Sequence, residues 1–245
     1  MNGLDEPDVR IGAEFQRRTS YAARAAVKRA LEHSAPQRPR AHAERVSLPS
    51  PRTGDGTGIW DAMRTRRSLR EYASSPLPLS TLSQLLWAAQ GVTARHGPYA
   101  LRTAPSAGAL YPVETYLAVN SVEEVPPGIY RYLVGEHALL LEREGNPGAA
   151  LSAAALDQTM CDTAAACFIW SAVIARSARK YAQRAYRYIY LDAGHIAQNV
   201  ALAASALGLG ACAVGAFYDD AVNSLIGADG DSEFALYMMC VGTLR

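Results

Sequence analysis

Residues 179 to 217 carry a long helix that runs straight into a strand, and the residue pattern requires both to be buried. Ile189, Ile196, Val200, Ala203 and Leu207 recur at spacings of three, four and seven, which keeps them on one helix face. Ala193, Ala197 and Ala201 form a row of small residues at i, i+4, suited to close approach of a neighbouring helix. Gly208 and Gly210 stop the helix, because glycine takes a left-handed conformation without a Cβ clash, and the small residues Ala211 to Phe217 then read as a strand. The most polar unit, Arg179-Lys180-Tyr181, stands at the entrance of this stretch. Arg187, Asp192, His195, Gln198 and Asn199 interrupt the helix, so it is no membrane span, which needs about 20 predominantly apolar residues. Gly208-Leu-Gly210-Ala-Cys-Ala213 imitates the dinucleotide fingerprint G-x-G-x-x-A. That motif must follow a strand and open a helix, and here the order is reversed, which rejects the dinucleotide reading.

The 245 residues fit one large domain, or one domain with an extension, and the 49% apolar content supplies a substantial core. A net charge of +1 gives no general electrostatic reason to bind nucleic acid or an anionic membrane. The N-terminus has no apolar run of the secretory kind. Cys161, Cys167, Cys212 and Cys240 form no C-x-x-C pair and have no histidine at zinc spacing, so they read as free buried thiols with no metal site. A cytoplasmic, reducing location is expected.

Residues 11 to 33 read as helical; Pro36, Pro39, Pro49, Pro51 and the Gly54–Gly58 run then argue against regular structure. This divides the chain into an extension and linker, 1–57, draped over a main domain, 58–245. The main domain opens on a short helix, IWDAMRTRRS, and Arg64, Arg66, Arg67 and Arg70 crowd within seven residues around Ser68. Two readings of this cluster stay open on chemistry alone: a solvated basic helix end, or a phosphate cradle of forked guanidinium donors and a hydroxyl. An amphipathic helix follows, marked by Leu82, Leu85, Leu86 and Ala89 and closed by Gly91. The small-residue loop Ala104 to Pro112 lets backbone come close to a planar ligand, although an ordinary turn-rich loop has the same composition. Strands are expected at 114–120, 165–173 and 234–241, with a hairpin over 128–142 turning at Gly135-Glu136 and a helix carrying Leu151 and Leu156. Helices and strands mixed in this irregular order predict an α+β fold.

Four blocks in this order resemble a known family. They are Arg66-Arg67-Ser68-Leu69-Arg70-Glu71-Tyr72, Ala104 through Glu114, Tyr186 through Asn199, and Gly208-Leu-Gly210 running on to Phe217. The chain is similar to nitroreductase-like flavoproteins of the SagB/ThcOx-type branch, FMN-dependent dehydrogenases that oxidise thiazolines and oxazolines in peptide natural products. Glu14-Phe15 and Thr19-Ser20-Tyr21 of the extension also look similar to that branch.

The resemblance implies an α+β nitroreductase-like fold, with a mostly antiparallel sheet flanked by helices. It implies a homodimer built on the long helix, with FMN at the subunit interface. It places Arg66, Arg67, Ser68 and Arg70 on the FMN phosphate and ribityl side, and Pro105, Ser106, Ala107 and Gly108 against the isoalloxazine ring. Gly215 and Ala216 fall where the family presents backbone N–H groups to the flavin, and donors there stabilise its anionic reduced form. Gln158 and Arg245 are candidates for the pyrimidine edge and the phosphate. His195 is taken as structural. Lys180 and Tyr181 match a Lys-Tyr pair beside the substrate, which suits a reaction that removes a proton along with a hydride. Arg176, Arg179 and Arg184 are expected to crowd Lys180 with like charge and so favour its neutral amine. A cyclodehydratase or carrier-protein partner would accompany the azoline reaction. An NAD(P)H-dependent nitro or quinone reductase, and a flavin-binding scaffold without turnover, are the competing readings.

Overall fold

The run Ala166–Val173 is apolar on both sides, with Phe168 and Trp170 pointing one way and Cys167 and Ile169 the other, so it can only be a strand covered on both faces. In the computed structural model it is an inner strand of the sheet, between β4 and β9 as numbered below. The structure describes residues 11–23, 25, 28, 44–54, 56–97 and 99–245. In chain order these form α1 (Ile11–Thr19), β1 (Arg45–Ser47), α2 (Ile59–Thr65), α3 (Leu79–Gln90), β2 (Val92–His96), β3 (Tyr99–Arg102), β4 (Val113–Val119), β5 (Gly128–Leu133) and β6 (Ala138–Glu144). There follow α4 (Gly148–Ala154), α5 (Met160–Thr163), β7 (Ala166–Val173), α6 (Ile174–Tyr181), α7 (Ala185–Ala206), β8 (Leu209–Val214), α8 (Asp219–Ile226) and β9 (Glu233–Thr243). Seven strands form one sheet in the order β1-β6-β5-β4-β7-β9-β8, and each neighbouring pair is antiparallel. The sheet is therefore the α+β antiparallel sheet that the sequence predicts.

Helices cover both faces. Leu82, Leu85 and Leu86 of α3 and Ile189, Ile196 and Val200 of α7 pack with Phe168 and Trp170. Leu151 of α4 and Val222 and Leu225 of α8 pack with Cys167 and Ile169 on the other face. All four cysteines are buried and free. The Cys161, Cys167 and Cys240 sulfur atoms lie within 4.8 Å of one another, a gathering that their spacing in sequence conceals. Sulfur–sulfur hydrogen bonding with Cys161, reinforced by burial, holds the Cys167 and Cys240 thiols well above the ordinary thiol range. Among the described residues no helix is long and apolar enough to cross a membrane.

The helix predicted over 11–33 breaks after Thr19; Ala25 and Lys28 are helical again, and the rest of the range beyond Ala23 lies outside the described residues. Thr19 and Ser20 turn their hydroxyls back onto the Phe15 and Gln16 carbonyls, which competes with helix propagation. Asp219 and Asp220 then take the backbone N–H groups of Tyr21 and Ala23. Residues 45–47, in the stretch where prolines argued against regular structure, add the edge strand β1 to β6. Ser83 Oγ fixes the neighbouring Pro49 carbonyl at 2.5 Å. The hairpin β2–β3 was not anticipated. Leu156 lies beyond the end of α4 and is 40% exposed.

The long stretch is also divided differently from its sequence reading. Lys180 and Tyr181 end a separate helix, α6, and the chain reverses at Ala182 (φ 46°, ψ −134°) before α7 begins. Gly208, at φ +71°, is the left-handed residue after α7, as predicted. Gly210 is not a helix stop; it lies in β8, where an added Cβ would meet Leu244 at 2.8 Å and Tyr72 at 3.2 Å. Leu207 caps α7 and is 41% exposed, off the buried face. Ala193 and Ala197 are buried inside the chain's own core, so part of the small-residue row serves packing within one chain.

Candidate functional site

After α2 the backbone becomes extended at Arg66 and lies along the outer edge of β8. Ser68 bridges Ala211 in parallel fashion, and Leu69 N donates to Ala211 O at 3.0 Å. This exposes Arg66, Arg67 and Ser68 over a pocket of about 250 Å³, whose floor is Gly194, Ala197 and Ala201 of α7 with Ala211 and Ala213 of β8. Among the described residues, Arg67 donates to the carbonyls of Arg64 and Arg66, and Arg70 to that of Ser68 at 3.5 Å. Among the described residues, none of Arg66, Arg67 and Arg70 pairs with a carboxylate, whereas Arg64 outside the matched block pairs with Asp61 at 3.0 Å. Arg66, Arg67 and Ser68 line the pocket while Arg70 does not; two guanidinium groups without a carboxylate among the described residues, beside a hydroxyl on a floor of small residues, are a donor set for a phosphate.

Ala211, Ala213 and Gly215 alternate along one side of the β8 line, so the site extends from Ser68 towards Gly215, a span of about 13 Å at the usual strand rise. Tyr237 joins its two ends: it lines the pocket, and it lies 3.7 Å from a Cβ built on Gly215. Gly215 and Ala216 are exposed. Gln158 Nε2 donates to Ala216 O at 2.9 Å and Ala155 O at 2.8 Å, so this side chain holds the segment after β8 in place. Arg245 Nε donates to Tyr72 O, two residues beyond Arg70.

The loop after β3 is wound tightly. Gly108, Ala109 and Tyr111 all have positive φ, at 66°, 53° and 45°. For alanine and tyrosine this is strained backbone, and the surroundings must hold it. Asp192 does so from α7: it accepts from Ser106 Oγ at 2.6 Å and from Ala107 N at 3.2 Å, while Ser106 Oγ accepts from Tyr111 N at 2.9 Å. Pro105 and Gly108 remain exposed. A Cβ built on Gly108 would meet Tyr181 Oη at 2.6 Å and Lys180 Nζ at 2.8 Å. The end of α6 therefore brings both polar atoms of the predicted pair to one point on the loop predicted to face the cofactor. Tyr181 is braced edge-on by Tyr188 at 4.8 Å, and Lys180 Nζ lies 5.2 Å from the Tyr181 ring. Of the arginines expected to crowd Lys180, Arg176 is spent on Glu114, and Arg184 donates to Tyr188 Oη. His195 is exposed on α7 and is no core histidine.

Asp192 escaped the sequence reading, although it falls three residues after Ile189 and so on the buried face. Burial raises its pKa from the ordinary 3.8, against the Ser106 and Ala107 hydrogen bonds that lower it. A raised folded-state value means that the folded form binds the proton more tightly. Its contribution to stability is complete below 3.8 and is lost as pH climbs through the raised value. Asp192→Asn keeps an acceptor for Ser106 and cannot ionise. Its melting temperature is expected to gain on wild type as pH rises through that window, and parallel thermal melts would check this.

The family model described as "Nitroreductase family" matches residues 63–243. The protein named putative nitroreductase MJ1384 of Methanocaldococcus jannaschii is 42% identical over 182 residues, covering 74% of this chain and 89% of that one. The trifolitoxin-processing protein TfxB of Rhizobium leguminosarum bv. trifolii is 33% identical over 118 residues, which is 46% of this chain and 32% of TfxB. Among solved structures, the E. coli microcin synthetase McbBCD complex with truncated pro-MccB17 contains a chain that superposes with a TM-score of 0.63. That match covers 95% of this chain and 87% of the other at 22% identity, a likeness of fold. The chain belongs to the nitroreductase family, a family of flavin-dependent oxidoreductases whose members bind FMN.

Proposed function

We propose that this oxidoreductase binds FMN and dehydrogenates an azoline-type ring, thiazoline or oxazoline, in peptide natural-product biosynthesis. The observation that carries this reading is the convergence of Lys180 Nζ and Tyr181 Oη on Gly108. Bound FMN supplies a hydride acceptor. Aromatising an azoline also releases a proton, so a base must stand on the substrate's side. Lys180 is the base that takes that proton, and Tyr181 positions it through the ring contact. Sequence similarity to a toxin-processing protein supports the substrate class, and it also favours work alongside a cyclodehydratase or carrier protein. The relative named as a nitroreductase favours the second reading, NAD(P)H-driven reduction of nitro or quinone compounds, which has no proton to remove. Anaerobic bleaching decides between them. Bleaching by a thiazoline-containing peptide and not by NAD(P)H is expected; rapid bleaching by NAD(P)H with no response to any thiazoline promotes the reductase.

In this reading Arg66, Arg67, Ser68 and Arg70 hold the phosphate, with Arg245 nearby. Pro105 to Gly108 and Gly215-Ala216 flank the ring, and Gln158 acts at its edge through Ala216. Arg66→Ala and Arg70→Ala are each expected to weaken FMN binding about ten- to a hundredfold, the effect of one charge-assisted contact. Arg64→Ala, which loses only the Asp61 pair, is expected to do much less. Equilibrium titration with FMN and riboflavin checks both, and riboflavin binding as tightly as FMN removes the phosphate role. The functional unit is a homodimer. Trp60, 80% exposed, stands with Ile59 and Met63 on α2 beside the cradle, and Leu191 is exposed on α7, leaving apolar surface that a second copy would cover. Sedimentation is expected to give a dimer; a monomer fully loaded with FMN contradicts the interface.

A further inference from the structure

A second cleft, of about 530 Å³, opens on the far side of the Gly108 loop. Its walls are the hairpin β2–β3, the loop residues Ala109 to Tyr111, the β5–β6 turn and Arg176 of α6. We propose that this cleft receives a carboxylate of the substrate, with Arg102 as its partner.

The charges on its walls can be paired off one by one. Glu114 is taken by Arg176, Glu136 by Arg45 at 2.8 Å, and Arg131 is matched by Glu142 at 2.9 Å. Arg102 is left over. Its Nη1 donates to the neutral Gln90 Oε1 at 2.5 Å, and its guanidinium lies 4.4 Å from the centre of the Tyr111 ring. Among the described residues no carboxylate lies within ion-pair distance of it, and its Nε is closed off from water without any hydrogen bond. Among the described residues its Nη2 has no hydrogen-bond partner, and an anion entering the cleft would meet the guanidinium there. Burial disfavours the Arg102 charge, so a bound anion would relieve a cost that the free protein carries. One unmatched positive charge fits a monoanion. A carboxylate is such a monoanion.

Position ties this cleft to the reaction. Arg176 and Lys180 are four residues apart on α6, hence neighbours on one face, one turn from each other. Tyr111, which Arg102 covers, belongs to the same strained loop as Gly108. Through Arg176 the cleft adjoins the helix turn that carries Lys180, and a carboxylate on the substrate is the group that would enter it. An azoline formed from a chain-terminal cysteine or serine carries such a group, the free carboxylate on its C4. That the carboxylate belongs to an azoline rests on the function proposed above; the capacity of the cleft for an anion does not.

The experiment separates the two. Dissociation constants of 2-phenylthiazole-4-carboxylate, a product-like and unreactive probe, and of its 4-carboxamide are measured by calorimetry on the flavin-loaded protein. Wild type is expected to prefer the carboxylate about ten- to a hundredfold. Arg102→Gln is expected to lose that preference with flavin content unchanged, and Arg102→Lys to keep part of it. Equal affinities in wild type, or a preference that survives Arg102→Gln, overturn the assignment. Should Arg102→Gln fail to fold, the wild-type comparison still decides, and Arg102→Met serves as a second neutral variant whose retained preference overturns the assignment. Bleaching of the flavin by the matching thiazoline-4-carboxylate is scored separately. Carboxylate preference without bleaching keeps the anion site and rejects the azoline reading.

Discussion

Lys180→Ala and Tyr181→Phe are each expected to leave the yellow cofactor and the fold in place while slowing thiazoline oxidation by roughly 10²–10⁴-fold, the range of a lost general base or its positioning partner. The fold is spared because Lys180 is exposed and neither polar atom contributes to either core. The cofactor is spared because the cradle at Arg66 to Arg70 lies on the β8 edge, on different elements from the pair. Stopped-flow bleaching under anaerobic conditions reads the chemical step directly. Hydride transfer from NAD(P)H to the flavin needs no base, so the same variants are expected to leave any such transfer untouched. Variants that oxidise thiazoline at the wild-type rate would remove both residues from the mechanism.

Gly108→Ala is expected to cost about as much by a different route. The new methyl group would meet Tyr181 Oη at 2.6 Å and Lys180 Nζ at 2.8 Å, so both must withdraw from the point where they converge. They are the free ends of flexible side chains, and their withdrawal harms the fold little. The backbone at φ +66° adds roughly 1–2 kcal/mol of strain for a residue with a Cβ. Displacing a catalytic group by about 1 Å can cost 10²-fold in rate. The expected outcome is a protein melting a few degrees lower, still loaded with flavin, and slowed at least 10²-fold. Unchanged kinetics with the lower melting temperature would mean that the pair does not act from where it is seen.

Legibility in sequence followed the range of the interaction. Strands β4 to β7 and β9 and helices α3 and α7 were readable because each buries a periodic face or a continuous apolar run. The Arg66-Arg67-Ser68 cluster was readable because it is contiguous, although only its lack of carboxylate partners separates a cradle from a solvated helix end. The hairpin β2–β3 was not readable: Val92 to Arg102 exposes most of its residues, so no alternation marks it. The break at Ala182 also left no mark, since alanine in a left-handed conformation is dictated by its surroundings and not by its own preference. Asp192 and Arg102 are the instructive omissions. Both act on residues distant in sequence, Asp192 on Ser106 and Arg102 on Gln90 and Tyr111, and only the folded chain shows what they face.

The reversal at Ala182 separates what the protein must keep from what it can change. The cradle rests on α7 and β8, which are locked into the sheet and its covering helices, and alterations there would be felt throughout the core. Lys180, Tyr181 and Arg176 ride on α6, eight residues long, with Ala175, Arg179 and Lys180 facing solvent. Substitutions at such positions cost little stability, usually within about 0.5 kcal/mol. One flavin-holding frame can thus be refitted for other substrates by rewriting a single short helix at its rim, and the chemistry of this chain can drift faster than its architecture.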